Sequence, residues 1–254
     1  MANHRCGLFI CVSLVVFVPV LDGQVVRSAI GDTRYAVVSQ LPLARNQNQI
    51  DGKLQILEDA RLTPQLRKML WGTGGDMQDD DPARSVFKSD PPHNAQVRIV
   101  TNKGTIVETS PLERPLAKLS STLLYGTPRP TYLVTVDYSA GFGSYNGPVT
   151  LPLEVQDGRL HWLEATDSAT GKKEQIELMQ SLKTTWKIVD SASKTGKEIL
   201  HAACRPDDFS STSNDFTLTY TRYYFSGSDW MRIQKKQPGF SEFEDGFPRR
   251  ELFP

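Results

Sequence analysis

His201 and Cys204 stand three residues apart in the run EILHAAC. On a helix that spacing would put an imidazole and a thiol on one face, as a metal site or a Cys/His pair requires. The run reads instead as a strand, where odd spacing sends the two side chains to opposite faces. Leu200, Ala202 and Cys204 then point inward together, and the cysteine acts as a small buried hydrophobe rather than a nucleophile. His93 and His161 are far from His201 in sequence, and none of the three lies in an H-E-x-x-H spacing. No G-x-S-x-G is present, because Phe142 occupies the position that would need its first glycine.

Two other clusters carry chemistry. Asp76, Asp79, Asp80 and Asp81 crowd the loop GTGGDMQDDDP. Carboxylates so gathered are the hard oxygen ligands that calcium takes, and calcium is the one ion the sequence suggests; no other cofactor is expected. Their order matches no EF-hand loop, and a solvated acidic loop is the preferred account of them. The run YSAGFGSYNGP combines three glycines with the flat rings of Tyr138, Phe142 and Tyr145. A flexible loop bearing aromatics on a rigid sheet suits stacking against a sugar or peptide, and these three residues are the candidate ligand contacts; the plainer account is a long hairpin loop whose rings fold back onto the sheet. A third set, Asp137, Glu154 and Glu164, lies in or beside strands and could supply the paired carboxylates of a hydrolase if folding brought two together.

The elements that must position these residues are mostly strands. TYLVTVDY and VTLPLEV alternate cleanly, and Asp157-Gly158 turns the second of these into Arg159–Leu163. Pro152 inside VTLPLEV cannot donate to a ladder, which predicts an edge position or a bulge. Hairpins are expected at 97–109, around Asn102-Lys103-Gly104, and at 216–235, around Ser226-Gly227-Ser228-Asp229. Arg34–Ser39, Thr185–Val189 and Glu198–Cys204 read as further strands. Lys172–Leu182 fits either period, with strand preferred. Arg222, opposite Arg232 or Gln234, marks a polar patch on sheet surface. One helix is expected, with Thr63 as N-cap, Pro64 at its first position and Gly72 as its stop. Phe240, Phe243, Phe247 and Phe253 punctuate a tail expected to wrap on the sheet through its rings.

The predicted fold is therefore mainly β: an antiparallel β-sandwich or irregular barrel built from hairpins, with one short N-terminal helix. Residues 24–119 form an irregular N-terminal region and 120–254 an antiparallel domain, unless 24–254 is a single domain.

Residues 1–23 have the layout of a secretory signal peptide: a basic start, the apolar run Cys6–Leu21, then Asp22 and Gly23. This predicts a secreted or periplasmic protein with no membrane span once the leader is removed. Two of the three cysteines lie in that leader, so Cys204 would be the lone thiol of the mature chain. The 29 basic and 29 acidic residues balance, which argues against a nucleic-acid partner. Without a catalytic constellation, the expected function is a non-enzymatic binding or interaction module of the cell envelope or extracellular space. Its partner would be a small molecule, a glycan or a protein. The alternative is an extracytoplasmic hydrolase using the carboxylates above.

Overall fold

The computed structural model describes residues 34–44, 50–62, 95–112, 116–127, 129–137, 145, 147–191, 196–207, 215–244 and 246–254. Three open sheets account for most of them. The first holds β1 (Tyr35–Pro42), β2 (Gly52–Asp59), β3 (Ala95–Thr101) and β4 (Ile106–Leu112) as a meander in chain order. The second contains β5 (Ala117–Leu123), β6 (Pro130–Asp137) and β7 (Pro148–Gln156), with β8 (Arg159–Trp162) and the two-residue β11 (Leu178–Met179) both on the far side of β7. The third runs β10 (Lys173–Gln175), β9 (Glu164–Asp167), β15 (Trp230–Pro238), β14 (Phe216–Phe225), β13 (Lys197–Pro206), β12 (Thr184–Asp190).

The sheets form where alternation supplies one apolar face. Tyr132, Val134 and Val136 of β6 meet Leu54 and Ile56 of β2 and Val97 and Ile99 of β3 in one cluster between the first two sheets. Each such large aliphatic, fully removed from water, contributes roughly 1.5–3 kcal/mol. The cluster draws on residues from both sides of position 119. On the third sheet, Ile199 and Tyr223 face one cluster together with Leu124, Leu163, Ile176 and Leu178, while Leu200, Ala202, Cys204, Leu218 and Tyr220 face the C-terminal tail.

This architecture corrects the predicted one. No sheet closes on itself, so the irregular barrel is excluded, and three sheets stand where a two-sheet sandwich or barrel was expected. No α-helix occurs among the described residues. The segment from Thr63 to Gly72 lies outside them. The strand pairing is also not wholly antiparallel: β15 pairs β9 in parallel. A parallel neighbour needs a long crossover, and the chain makes one through β10 to β14. Arg232 fastens the junction by donating to Asp167 at 3.1 Å and to Glu174 at 2.6 Å.

Pro152 does not sit on an edge. Strand β7 is central, flanked by β6 and by β8 and β11. The Pro152 carbonyl accepts the Leu163 N–H, so its missing N–H would point to that same side. There β8 pairs with residues 153–156 and β11 with 149–150, and the proline falls in the gap between them. The hairpin at Asp157-Gly158 forms as expected, with φ of 48° and 76°, the left-handed pair that a type I′ turn needs. The ambiguous stretch 172–182 breaks into β10 and β11, which join different sheets.

Candidate functional site

Among the described residues, a concavity lies where the turn after β5, the end of β12 and the β14–β15 hairpin meet. It is half open, with a volume of about 570 Å³, and is lined by Leu124, Tyr125, Ser191, Glu198, Arg222, Tyr224, Phe225, Ser226 and Gly227. That size suits a small ligand, and rings with a few polar groups are the usual lining.

Each wall is fixed by a local device. Leu124 and Tyr125 are drawn onto the β12–β13 hairpin because Lys197 N–H donates to the Leu124 carbonyl at 2.7 Å. Gly196, beside it, has φ of +79°, and a Cβ there would stand 2.6 Å from the Leu124 oxygen. Only glycine allows so close an approach at this φ. The Tyr125 ring then meets Phe225 edge-on at 4.8 Å and Trp230 at 5.7 Å, and its hydroxyl accepts from Trp230 Nε1 at 2.8 Å. The Arg129 guanidinium lies 4.7 Å from the ring centroid. Burial, and then the neighbouring Glu154 carboxylate, push the Tyr125 phenol well above its ordinary range, so it stays a neutral hydroxyl.

The opposite wall is built on Glu198. This fully buried carboxylate accepts from Arg222 Nε at 3.0 Å and Nη2 at 2.7 Å, from Arg250 Nη2 at 2.7 Å and from the Ser191 hydroxyl at 2.9 Å. Burial alone would raise its pKa, but Arg222, Ser191 and Arg250 together outweigh that and hold it below the usual carboxylate range. The paired guanidinium of Arg222 lies 5.0 Å from the Tyr224 ring centroid, so ring and charge form one rigid surface.

Behind Tyr125, Glu154 pairs with Arg129 and accepts from Gln156 at 2.8 Å, all on Oε2. Its Oε1 and the Thr131 hydroxyl are buried without a hydrogen-bond partner among the described residues.

The residues singled out in the sequence are distributed otherwise. Asp76, Asp79, Asp80 and Asp81 lie outside the described residues, as do Tyr138 and Phe142. Tyr145 is half-buried, at a turn before β7. Asp137 and Glu154 share a face of the second sheet, but Asp137 pairs with Pro148 while Glu154 sits at the other end of β7. Six residues of strand separate them, about 20 Å. Glu164 is exposed at a third place, 3.7 Å from Lys173. The fold therefore does not bring these three carboxylates together. Among the described residues no group of three or more His, Cys, Asp or Glu could hold a metal ion, and no helix is long and apolar enough to cross a membrane.

Cys204 is buried with Leu200 and Ala202, and His201 faces the other way. The His201 Nε2 is buried and has no hydrogen-bond partner among the described residues, although the side chain as a whole keeps some exposure. Burial, with Arg205 adding repulsion, lowers its pKa to about 4. Arg222 stands opposite Leu200 and Ile233, not Arg232 or Gln234, which lie on the other face. One residue of register thus turns an expected surface patch into the wall of a cleft. Tyr125, Ser191 and Glu198 carry no motif. The signal available in the sequence was the adjacency of Arg222 and Tyr224 on one strand face.

Comparison with family models, with curated proteins and with solved structures returns no match.

Proposed function

We propose that this protein is a non-enzymatic binding module of the cell envelope or extracellular space, and that it holds a sugar-sized ligand in the cleft between Tyr125 and Tyr224. The observation that carries the reading is the cleft itself: about 570 Å³, with three half-buried rings and the Glu198–Arg222 pair along its walls. Rings offer flat apolar surface to the C–H face of a pyranose. The guanidinium edge and the serine hydroxyls offer hydrogen bonds to its hydroxyl groups. Both charged side chains are already paired with each other, so the cleft presents oriented donors and acceptors rather than an isolated charge or an activated base. Export rests on the leader-like sequence of residues 1–23.

The experiment is ligand-observed NMR with a panel of mono- and oligosaccharides, on the wild-type protein and on Tyr224→Ala. Tyr224 is half-buried at the cleft, so its truncation should leave the fold intact. Saturation transfer to at least one sugar, lost in the variant, supports the reading. Transfer to none, or transfer undiminished in Tyr224→Ala, overturns it.

A further inference from the structure

The residues after β15 cross the third sheet without pairing as a strand. Among the described residues, two bonds between main chains hold this segment, each at 2.9 Å: Gly239 N–H to the Phe216 carbonyl of β14, and Phe243 N–H to the Leu182 carbonyl in the turn before β12. The bonds at Gly246, Leu252 and Phe253 close within the segment. Side chains hold the rest. Phe243 and Phe253 are buried over Leu200, Ala202, Cys204, Leu218 and Tyr220. Phe253 meets Tyr220 edge-on at 5.4 Å and stacks with Phe247 at 5.5 Å. Two ion pairs flank them, Lys183 to Glu242 and Arg250 to Glu198, both at 2.7 Å.

We propose that residues 239–244 and 246–254 are a strap that undocks as a unit while the third sheet stays folded, with Arg250 on Glu198 as its latch. The contrast in bonding carries this. Strand β13 is laddered on both sides, by β12 and by β14 along nearly its whole length. The strap has two bonds between main chains, two long main-chain bonds to side chains (Ser241 N–H to Cys204 Sγ and Arg222 Nη1 to the Pro254 carbonyl), and rings resting on a face that the sheet presents without its help. Elements tied by few backbone bonds belong to the low-stability end of a fold and open below the global transition. The latch is placed at the far end of the strap from Gly239, where releasing one contact frees the greatest length. It also joins the strap to the cleft: Glu198 serves both, and Arg222 Nη1 donates to the Pro254 carbonyl at 3.4 Å.

Cys204 reports the opening. Its Sγ lies under the strap and accepts the Ser241 N–H at 3.5 Å. A small aromatic disulfide reagent can reach it only when the strap lifts. The Cys204 thiolate then attacks the reagent, forming a mixed disulfide and releasing the reagent's other half as a thiolate, which is read by absorbance. Peptide mass mapping assigns the label to Cys204. In the wild-type protein, labelling at low denaturant should run faster than global unfolding and depend more weakly on denaturant. Arg250→Ala should accelerate it at least tenfold with unchanged circular dichroism. Labelling that follows global unfolding in rate and slope, or the same rate in Arg250→Ala, overturns the proposal. Native-state hydrogen exchange on the wild type supplies a second reading without a variant: amides of 241–253 should exchange before those of β13 and β14. Equal protection contradicts the strap. No ligand enters either test, so the strap and the binding reading stand or fall separately.

Discussion

Trp230 Nε1 donates a 2.8 Å hydrogen bond to the hydroxyl of Tyr125, joining the first residue of β15 to the turn after β5. The bond ties the third sheet to the second and sets the angle of the ring that lines the cleft. Tyr125→Phe leaves a buried indole N–H unpaired, which should destabilise the fold by about 1–3 kcal/mol. Trp230→Phe in the Tyr125→Phe background should then cost less through this contact than Trp230→Phe alone. Denaturant titration of the four proteins measures the coupling. Additive losses would show that the bond carries no stability.

Gly196 holds Leu124 against the β12–β13 hairpin because a side chain has no room at its φ of +79°. Gly196→Ala must strain the backbone or push Leu124 away. A loss of about 1–3 kcal/mol is expected from the left-handed strain and the contact together. Ligand affinity should fall as well, since Tyr125 moves with Leu124. Thermal unfolding gives the first result, and an unchanged midpoint would contradict the packing described.

Glu198 accepts four hydrogen bonds from three side chains, and its pKa is held below the ordinary range. Its contribution is therefore present above the unfolded carboxylate pKa and is lost as the pH falls through the lower folded value. Glu198→Gln keeps the shape and removes the charge. Because both arginines are partly exposed, the expected cost at neutral pH is about 1–3 kcal/mol rather than the full penalty of a deeply buried pair. The difference between wild type and variant should shrink on acidification below the carboxylate range, as read by urea midpoints across pH.

His201 titrates in another window. Its folded pKa of about 4 lies below the ordinary 6.5, so the folded state binds the proton less readily than the unfolded one. Stability from the neutral ring is whole above the unfolded value and declines as the pH drops from about 6.5 towards 4. The full shift corresponds to about 3 kcal/mol, and partial exposure of the side chain reduces this to roughly 2 kcal/mol. His201→Gln should flatten stability over that interval. An identical pH profile in the variant would place the proton elsewhere.

Much of the sheet structure was legible because alternation is local. TYLVTVD, VTLPLEV with its Asp157-Gly158 turn, EILHAAC and the 216–235 hairpin all form strands near their expected bounds. Strand β2 was not legible. Leu54 and Ile56 alternate, but Leu57, Glu58 and Asp59 are all buried after them and break the period. The two acids tolerate burial through partners far along the chain or off the strand: Glu58 accepts the Ala117 N–H at 2.6 Å, and Asp59 takes Arg61. The cleft was hidden for the same reason. Tyr125, Ser191, Glu198 and Arg222 come from four separate elements, and only tertiary register places Arg222 beside Glu198 rather than Arg232. The parallel pairing of β9 with β15 has no local signature at all.

The most direct test of a sugar-binding cleft is chemical-shift mapping on the isotope-labelled protein, titrated with whichever saccharide shows saturation transfer. Shifts should centre on Tyr125, Ser191, Glu198 and the 224–227 stretch, and should vanish in Tyr224→Ala. Shifts centred on the 138–148 loop, or no shift with any saccharide of the panel, would contradict the cleft as the binding site.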